Sequence, residues 1–175
     1  MRRLAFLGDP TGKAKGGRMP RHHETRILPY SPQQMYDLVA DVRSYPEFLP
    51  WTAAARIRNR EQIGASEVLL ADLVISFKVF RETFGSRVVL HPQEKRIETS
   101  YIDGPFHHME SVWVFRDAPG TGDRSSCEVD FTVDFEFRSR LLQGAATIFF
   151  NDAMTRVVRA FERRAAQLYR PGGTG

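Results

Sequence analysis

The residues able to do acid–base, metal or nucleophilic chemistry are few in this chain and form no familiar pattern. His107-His108 followed by Glu110 is the densest group. On a strand, neighbours point to opposite faces, so only one of these histidines can share a face with Glu110, too few ligands for a structural metal. We read them as solvated or turn histidines. His22-His23 lie beside a Gly-, Lys- and Arg-rich stretch and read as incidental. Cys127 has no histidine near it in sequence and reads as a buried structural thiol. Asp72 and Glu82 are charges inside apolar segments. Each either turns outward into an ion pair or faces an interior groove, where it could orient a polar group. The sequence has no G-x-S-x-G elbow, no Gly-rich phosphate loop and no H-E-x-x-H. No catalytic residue and no metal ligand is assigned, although an enzyme whose residues are scattered over strands leaves no local motif.

Apolar side chains carry the stronger signal. Phe48, Leu49 and Trp51 lie between and just after Pro46 and Pro50, which hold them rigidly. Thirteen phenylalanines in 175 residues mean a large core or a lined pocket. If there is a groove, Phe77, Phe84, Trp113 and Phe131 from strands and Phe149, Phe150 and Met154 from the last helix are its candidate walls, and each is equally at home in a plain core. A dry groove with few polar groups is what an apolar ligand requires.

The elements that must position these residues are legible. Ser139 to Tyr169 has no proline and reads as one helix of roughly 45 Å. Its apolar arc runs through Leu142, Ala146, Phe150, Met154, Val157 and Phe161. Leu141, Ala145 and Ile148 add apolar surface on what should be the wet side. That half of the helix therefore needs a cover: a loop, a second subunit, or a cavity with an apolar ligand, which Ala145→Trp would fill. Upstream, a strand over His22 to Tyr30 leads to Ser31-Pro32-Gln33-Gln34, a capped helix start. Beyond Trp51 the period changes from 3.6 to 2. Strands are expected over 53–62, 66–77, 80–91, 96–102 and 109–116, with Gly85 a bulge or bend. Asp103-Gly104-Pro105 is a turn signal. In the last strand Val129, Phe131, Val133, Phe135 and Phe137 alternate with acids and Thr132, one dry face and one wet. The expected fold is α+β: about seven antiparallel strands curved around the long C-terminal helix, with short helices after the first strand.

Composition bounds the rest. Hydrophobic content of 42% and charged content of 26% suit one soluble domain over residues 22–170. Residues 1–21 are expected to be a disordered basic leader and 171–175 a disordered tail; Met19 is an alternative start. A net charge of +4 permits contact with anionic lipid or RNA. One cysteine suits a reducing compartment, and no apolar run approaches a membrane span, so a cytoplasmic location is expected.

Tyr45-Pro46-Glu47-Phe48-Leu49-Pro50-Trp51 resembles the signature of the coenzyme Q-binding protein family, within the START-like (helix-grip) polyketide cyclase superfamily. The Arg26–Tyr30 strand before the capped helix, Asp103-Gly104-Pro105-Phe106 with Trp113 and Phe115, and Val133-Asp134-Phe135-Glu136-Phe137 running into Leu141-Leu142 add to it. Where many relatives have Cys after the tryptophan, this chain has Thr52. The resemblance implies the helix-grip fold and a groove binding ubiquinone or a related polyprenyl lipid, as a carrier or chaperone for quinone biosynthesis or respiratory electron transfer, not a catalyst. Such a carrier would touch anionic membrane, peripheral to the inner membrane. The resemblance equally implies an alternative, since some bacterial relatives are toxins that bind the large ribosomal subunit and block subunit association. A third reading is an aromatase or cyclase acting on polyketides.

Overall fold

The computed structural model describes residues 21–77, 80–119 and 125–169. The expected leader up to residue 20, the 171–175 tail and most of the Gly-rich loop after Pro119 lie outside the described residues. The order is β1 (Arg21–Leu28), α1 (Pro32–Ala40), a 3-10 helix (Val42–Glu47), β2 (Thr52–Ile63), β3 (Ser66–Phe77), β4 (Phe80–His91), β5 (Arg96–Asp103), β6 (Phe106–Asp117), β7 (Cys127–Phe137) and α2 (Arg140–Leu168). The seven strands form one curved antiparallel sheet in the order β1-β7-β6-β5-β4-β3-β2. Strands β2 to β7 follow one another as a meander, and β1 closes the far edge beside β7. This is the helix-grip architecture the sequence led us to expect.

Local chemistry sets the boundaries. At the start of α1 the Gln34 amide donates to Ser31 Oγ (3.1 Å) and the Ser31 amide donates to Gln34 Oε1 (2.9 Å). This capping box, with Pro32 in the first turn, contributes about 1 kcal/mol. Pro46 interrupts continuation, so the chain passes through the 3-10 helix and turns at Trp51, whose φ of 61° is left-handed. The Trp51 carbonyl accepts from the Ser76 amide at 2.8 Å, which ties this turn to β3. Gly104 closes the β5–β6 turn with φ +129°, and a Cβ there would lie 2.9 Å from the Thr83 carbonyl oxygen, so glycine is required.

Alternation sends Val129, Phe131, Val133 and Phe135 of β7 into the core. Trp113 of β6 stacks on Phe131 at 4.0 Å between ring centroids. Phe161 of α2 meets the Trp113 ring at 5.2 Å and the Phe48 ring at 5.2 Å. The second half of α2 is thereby held to the sheet through Val158, Phe161 and Ala165, all buried. Burial of side chains the size of Val158 and Phe161 contributes about 1.5–3 kcal/mol each.

The first half of α2 is different. Leu141 is 83% exposed, Ile148 76% and Phe149 66%, and Ala145 is exposed as well. The expected cover for Leu141, Ala145 and Ile148 is not supplied by any described element. In particular Ala145 faces outward, so Ala145→Trp would not fill an interior space. One residue along an α-helix is a rotation of about 100°, and that step separates Ala145 from Ala146, which does face inward.

Candidate functional site

Between the sheet and α2 lie two adjoining chambers. The inner one, about 230 Å³, is bounded by strands β3 to β7, by the Leu49-Pro50 turn, and by Val157 and Phe161 of α2. The outer one, about 360 Å³, lies under the first half of α2, where Ala146, Phe150, Ala153 and Met154 face Phe106, Phe135 and Phe137. Ile75, Phe84, Met109 and Val133 border both chambers, so they stand where the two adjoin.

Seven of the ten expected wall residues stand where a wall is needed. Leu49, Trp113 and Phe131 line the inner chamber, Phe84 borders both, and Phe149, Phe150 and Met154 line the outer one. Phe149, largely exposed, sits at the rim. Three lie outside the lining. Phe48 packs edge-on against Tyr45 and Phe161, with the Arg164 guanidinium 5.4 Å from its ring. The left-handed turn at Trp51 sets its ring against Phe77 at 5.6 Å, and both close the end of β3 instead of lining the cavity.

The walls carry almost no charge. Among the described residues, neither lining contains Asp, Glu, His, Lys or Arg. The described residues that bound the outer chamber are all apolar. Polar groups enter only in the inner chamber: the hydroxyls of Tyr45, Thr52, Ser86, Thr99 and Ser111. The Tyr45 hydroxyl donates to the Val39 carbonyl, and burial, reinforced by Asp41, pushes it well above the usual tyrosine range. Asp72 turns outward and pairs with Arg58 at 3.1 Å. Glu82 registers with Ile75, on the concave side, but toward the hairpin tip and outside either lining.

The β1 seam is where charge meets α2. The register of β1 places His22 opposite Val133 and Glu24 opposite Phe131. His22 is therefore not incidental: its ring lies 6.1 Å from Phe150 and 6.3 Å from Phe131, and its Nε2 is 3.0 Å from Glu24. Arg26 bridges Glu24 (2.5 Å) and Glu162 of α2 (3.8 Å). Burial raises the Glu24 pKa, but hydrogen bonds from His22 and Arg26 outweigh it and leave the carboxyl below its ordinary value. Cys127 is fully buried, and burial pushes its thiol up to about 12.

His108 and Glu110 share the outer face of β6, and Asp134 of β7 joins them, its Oδ1 2.6 Å from His108 Nε2. The three donor atoms lie within 4.8 Å of one another, a grouping able to ligate a cation. Sequence reasoning missed Asp134 because only the β6–β7 register brings it there. The group is on the opposite side of the sheet from the chambers, since Met109, Ser111 and Trp113 face in.

The family model for polyketide cyclase/dehydrase and lipid transport matches residues 28–162. The chain belongs to this family. Within it, the chain is 35% identical to the ribosome association toxin RatA of Rickettsia prowazekii, covering 82% of this chain and 94% of that one. It is 33% identical to the mitochondrial coenzyme Q-binding protein COQ10 homolog B of Xenopus laevis, covering 88% of this chain and 61% of that protein. The ZhuI aromatase/cyclase of Streptomyces sp. R1128 shares the fold, with a TM-score of 0.71, 19% identity, and coverage of 89% and 99%. Among the described residues, no helix is long and apolar enough to cross a membrane.

Proposed function

We propose that this protein binds a polyprenyl quinone such as ubiquinone, or a similar long apolar lipid, in the two-chamber cavity, and that it carries the lipid without transforming it. One observation carries this reading: among the described residues, an outer chamber walled by apolar side chains adjoins an inner chamber that has a few hydroxyls and no charged group. Such a space suits an isoprenoid tail, whose burial contributes roughly 4 kcal/mol per five-carbon unit. Among the described residues the lining offers no carboxylate, imidazole, amine or thiolate to drive a reaction. A relative named for coenzyme Q binding at 33% identity supports the same ligand class.

The carrier works at an anionic membrane, peripheral to it and from the cytoplasm. Leu141, Ile148 and Phe149 stand exposed beside the outer chamber, and the stretch from Arg138 to Asn151 holds two arginines and no acid. An apolar surface flanked by cations at the cavity rim fits a bilayer interface. The test is to purify the protein without detergent from a quinone-producing host, extract it with organic solvent, and identify the extract by mass spectrometry. A polyprenyl quinone at a substantial molar fraction is the expected result. Extracts without quinone, together with no uptake from quinone-loaded vesicles, would overturn the reading.

A second reading rests on the 35% identity to a ribosome association toxin and on Arg159 and Arg163, exposed on α2. Under it, the large ribosomal subunit is the partner. Arg156 and Arg164 are already paired with Asp152 and Glu47, which leaves that basic face small. Co-sedimentation with isolated large subunits, lost in Arg159→Glu/Arg163→Glu, would favour it.

A further inference from the structure

We infer that the inner chamber is a head-group site for a neutral, carbonyl-bearing lipid bound head inward, and that Ser86 is the residue that reads the head. This rests on the proposed lipid binding and specifies its ligand. Ser86 lines the chamber, is 4% exposed, and its Oγ has no hydrogen-bond partner. Buried hydroxyls are nearly always satisfied, so an orphan on a residue that lines a cavity marks a place where a ligand atom can complete the set. The backbone builds this position deliberately. A bulge between Gly85 and Ser86 interrupts the β4–β5 register, and the Gly85 amide donates to Asp103 Oδ1 at 3.0 Å. A Cβ on Gly85 would meet the Asp103 carboxylate, so glycine admits that contact. The extra residue of the bulge is Ile102 on β5, and the unbroken β3–β4 register sends Ser86 inward between Phe84 and Val88. Ala71, registered opposite Ser86 on β3, leaves space beside the hydroxyl.

Other hydroxyls share the face. Thr99 of β5 and Ser111 of β6 are registered directly opposite each other and line the same chamber. Tyr101, registered with Ser86 across β4–β5, also has a buried hydroxyl without a partner. Hydroxyls donate to carbonyl and ether oxygens but cannot neutralise a carboxylate or phosphate, and among the described residues no cation lines either chamber. An anionic head would be buried uncompensated, so the site rejects fatty acids and phospholipids entering head first. The outer chamber, whose described lining has no polar side chain, takes the tail.

The experiment measures binding of a decyl-substituted benzoquinone, palmitate and hexadecane to the delipidated protein, in wild type and Ser86→Ala. Wild type is expected to bind the quinone at least tenfold tighter than palmitate. Ser86→Ala should weaken quinone binding about tenfold while leaving hexadecane binding unchanged, and should not lower the melting temperature of the empty protein. Palmitate binding equal to quinone binding overturns the neutral-head assignment while lipid binding stands. Equal loss of quinone and hexadecane in Ser86→Ala, with a lowered melting temperature, makes Ser86 a packing residue and overturns its role. Binding of none of the three by wild type removes the lipid reading and this inference together.

Discussion

Two adjacent alanines give a sharp test of the cavity. Ala146 faces the outer chamber, whereas its neighbour Ala145 faces solvent. A tryptophan at 146 would place an indole among Phe106, Phe135 and Met154, in a chamber of about 360 Å³. The displaced ligand volume corresponds to at least one isoprene unit. Excluding one unit removes roughly 4 kcal/mol of burial, or about three factors of ten in Kd. Ala146→Trp should therefore be purified essentially free of lipid, while Ala145→Trp retains the wild-type molar ratio. Mass spectrometry of solvent extracts reads both, and circular dichroism melts establish that each variant is folded. A folded Ala146→Trp carrying the wild-type lipid load would refute a binding site beneath the first half of α2. Equal loss in both variants would refute the orientation of that helix.

The remaining predictions concern the rim and the core. Leu141→Asp with Ile148→Asp removes two exposed apolar side chains worth about 1.5–3 kcal/mol each on burial in a membrane interface. Co-sedimentation with anionic vesicles should fall about a hundredfold or more, with the melting temperature unchanged; wild-type vesicle binding would remove α2 from the membrane contact. Cys127 should alkylate only as fast as the protein unfolds, and rapid labelling of the native state would contradict its burial. Because its folded pKa is raised, Cys127 leaves stability intact below the ordinary thiol value of 9.0. It should reduce stability as pH rises from there toward about 12, a loss visible in denaturant titrations of wild type and smaller in Cys127→Ala, where the raised Tyr36, Tyr45 and Tyr169 still contribute above pH 10.

Periodicity and capping made most of the fold legible. The dry and wet faces of β7, the Ser31 capping box and the proline-free run of α2 are local signals, and each matches an observed element. What escaped depends on register or rotation. Asp134 meets His108 from 26 residues away, and His22 turns inward only because β1 pairs with β7 in one phase. Phe48 and Phe150 have the same side chain, yet one closes an end of the core and the other walls a chamber. Ser86 gave no signal, because a serine after glycine in a strand reads as a weak spot until the β3–β4 register places it inward between Phe84 and Val88. The extra apolar stripe at Leu141, Ala145 and Ile148 was visible as a departure from amphipathicity. Its expected burial was not met, since helical spacing records which residues are greasy and not what lies beyond them.

The size of the chambers argues for an occupant. Filled cores are close-packed, and a cavity left by truncation destabilises by roughly 24 cal/mol per Å³ when dry and closed. On that scale a chamber of about 360 Å³ would correspond to roughly 9 kcal/mol, comparable to the whole stability of a domain of this size. The outer chamber opens at the rim beside Phe149, so water relieves part of this, but apolar walls against water remain unfavourable. A lipid that binds the folded state alone should then hold it up: at a free concentration a hundredfold above Kd the gain is about 2.7 kcal/mol. For a chain of this length that is a rise of about 5–10 °C in melting temperature. Delipidated protein should therefore melt lower than protein purified with its lipid, and added quinone should restore the difference in wild type but not in Ala146→Trp. Identical melts of loaded and delipidated wild type would mean that the chambers are tolerated voids and that the fold does not need a guest.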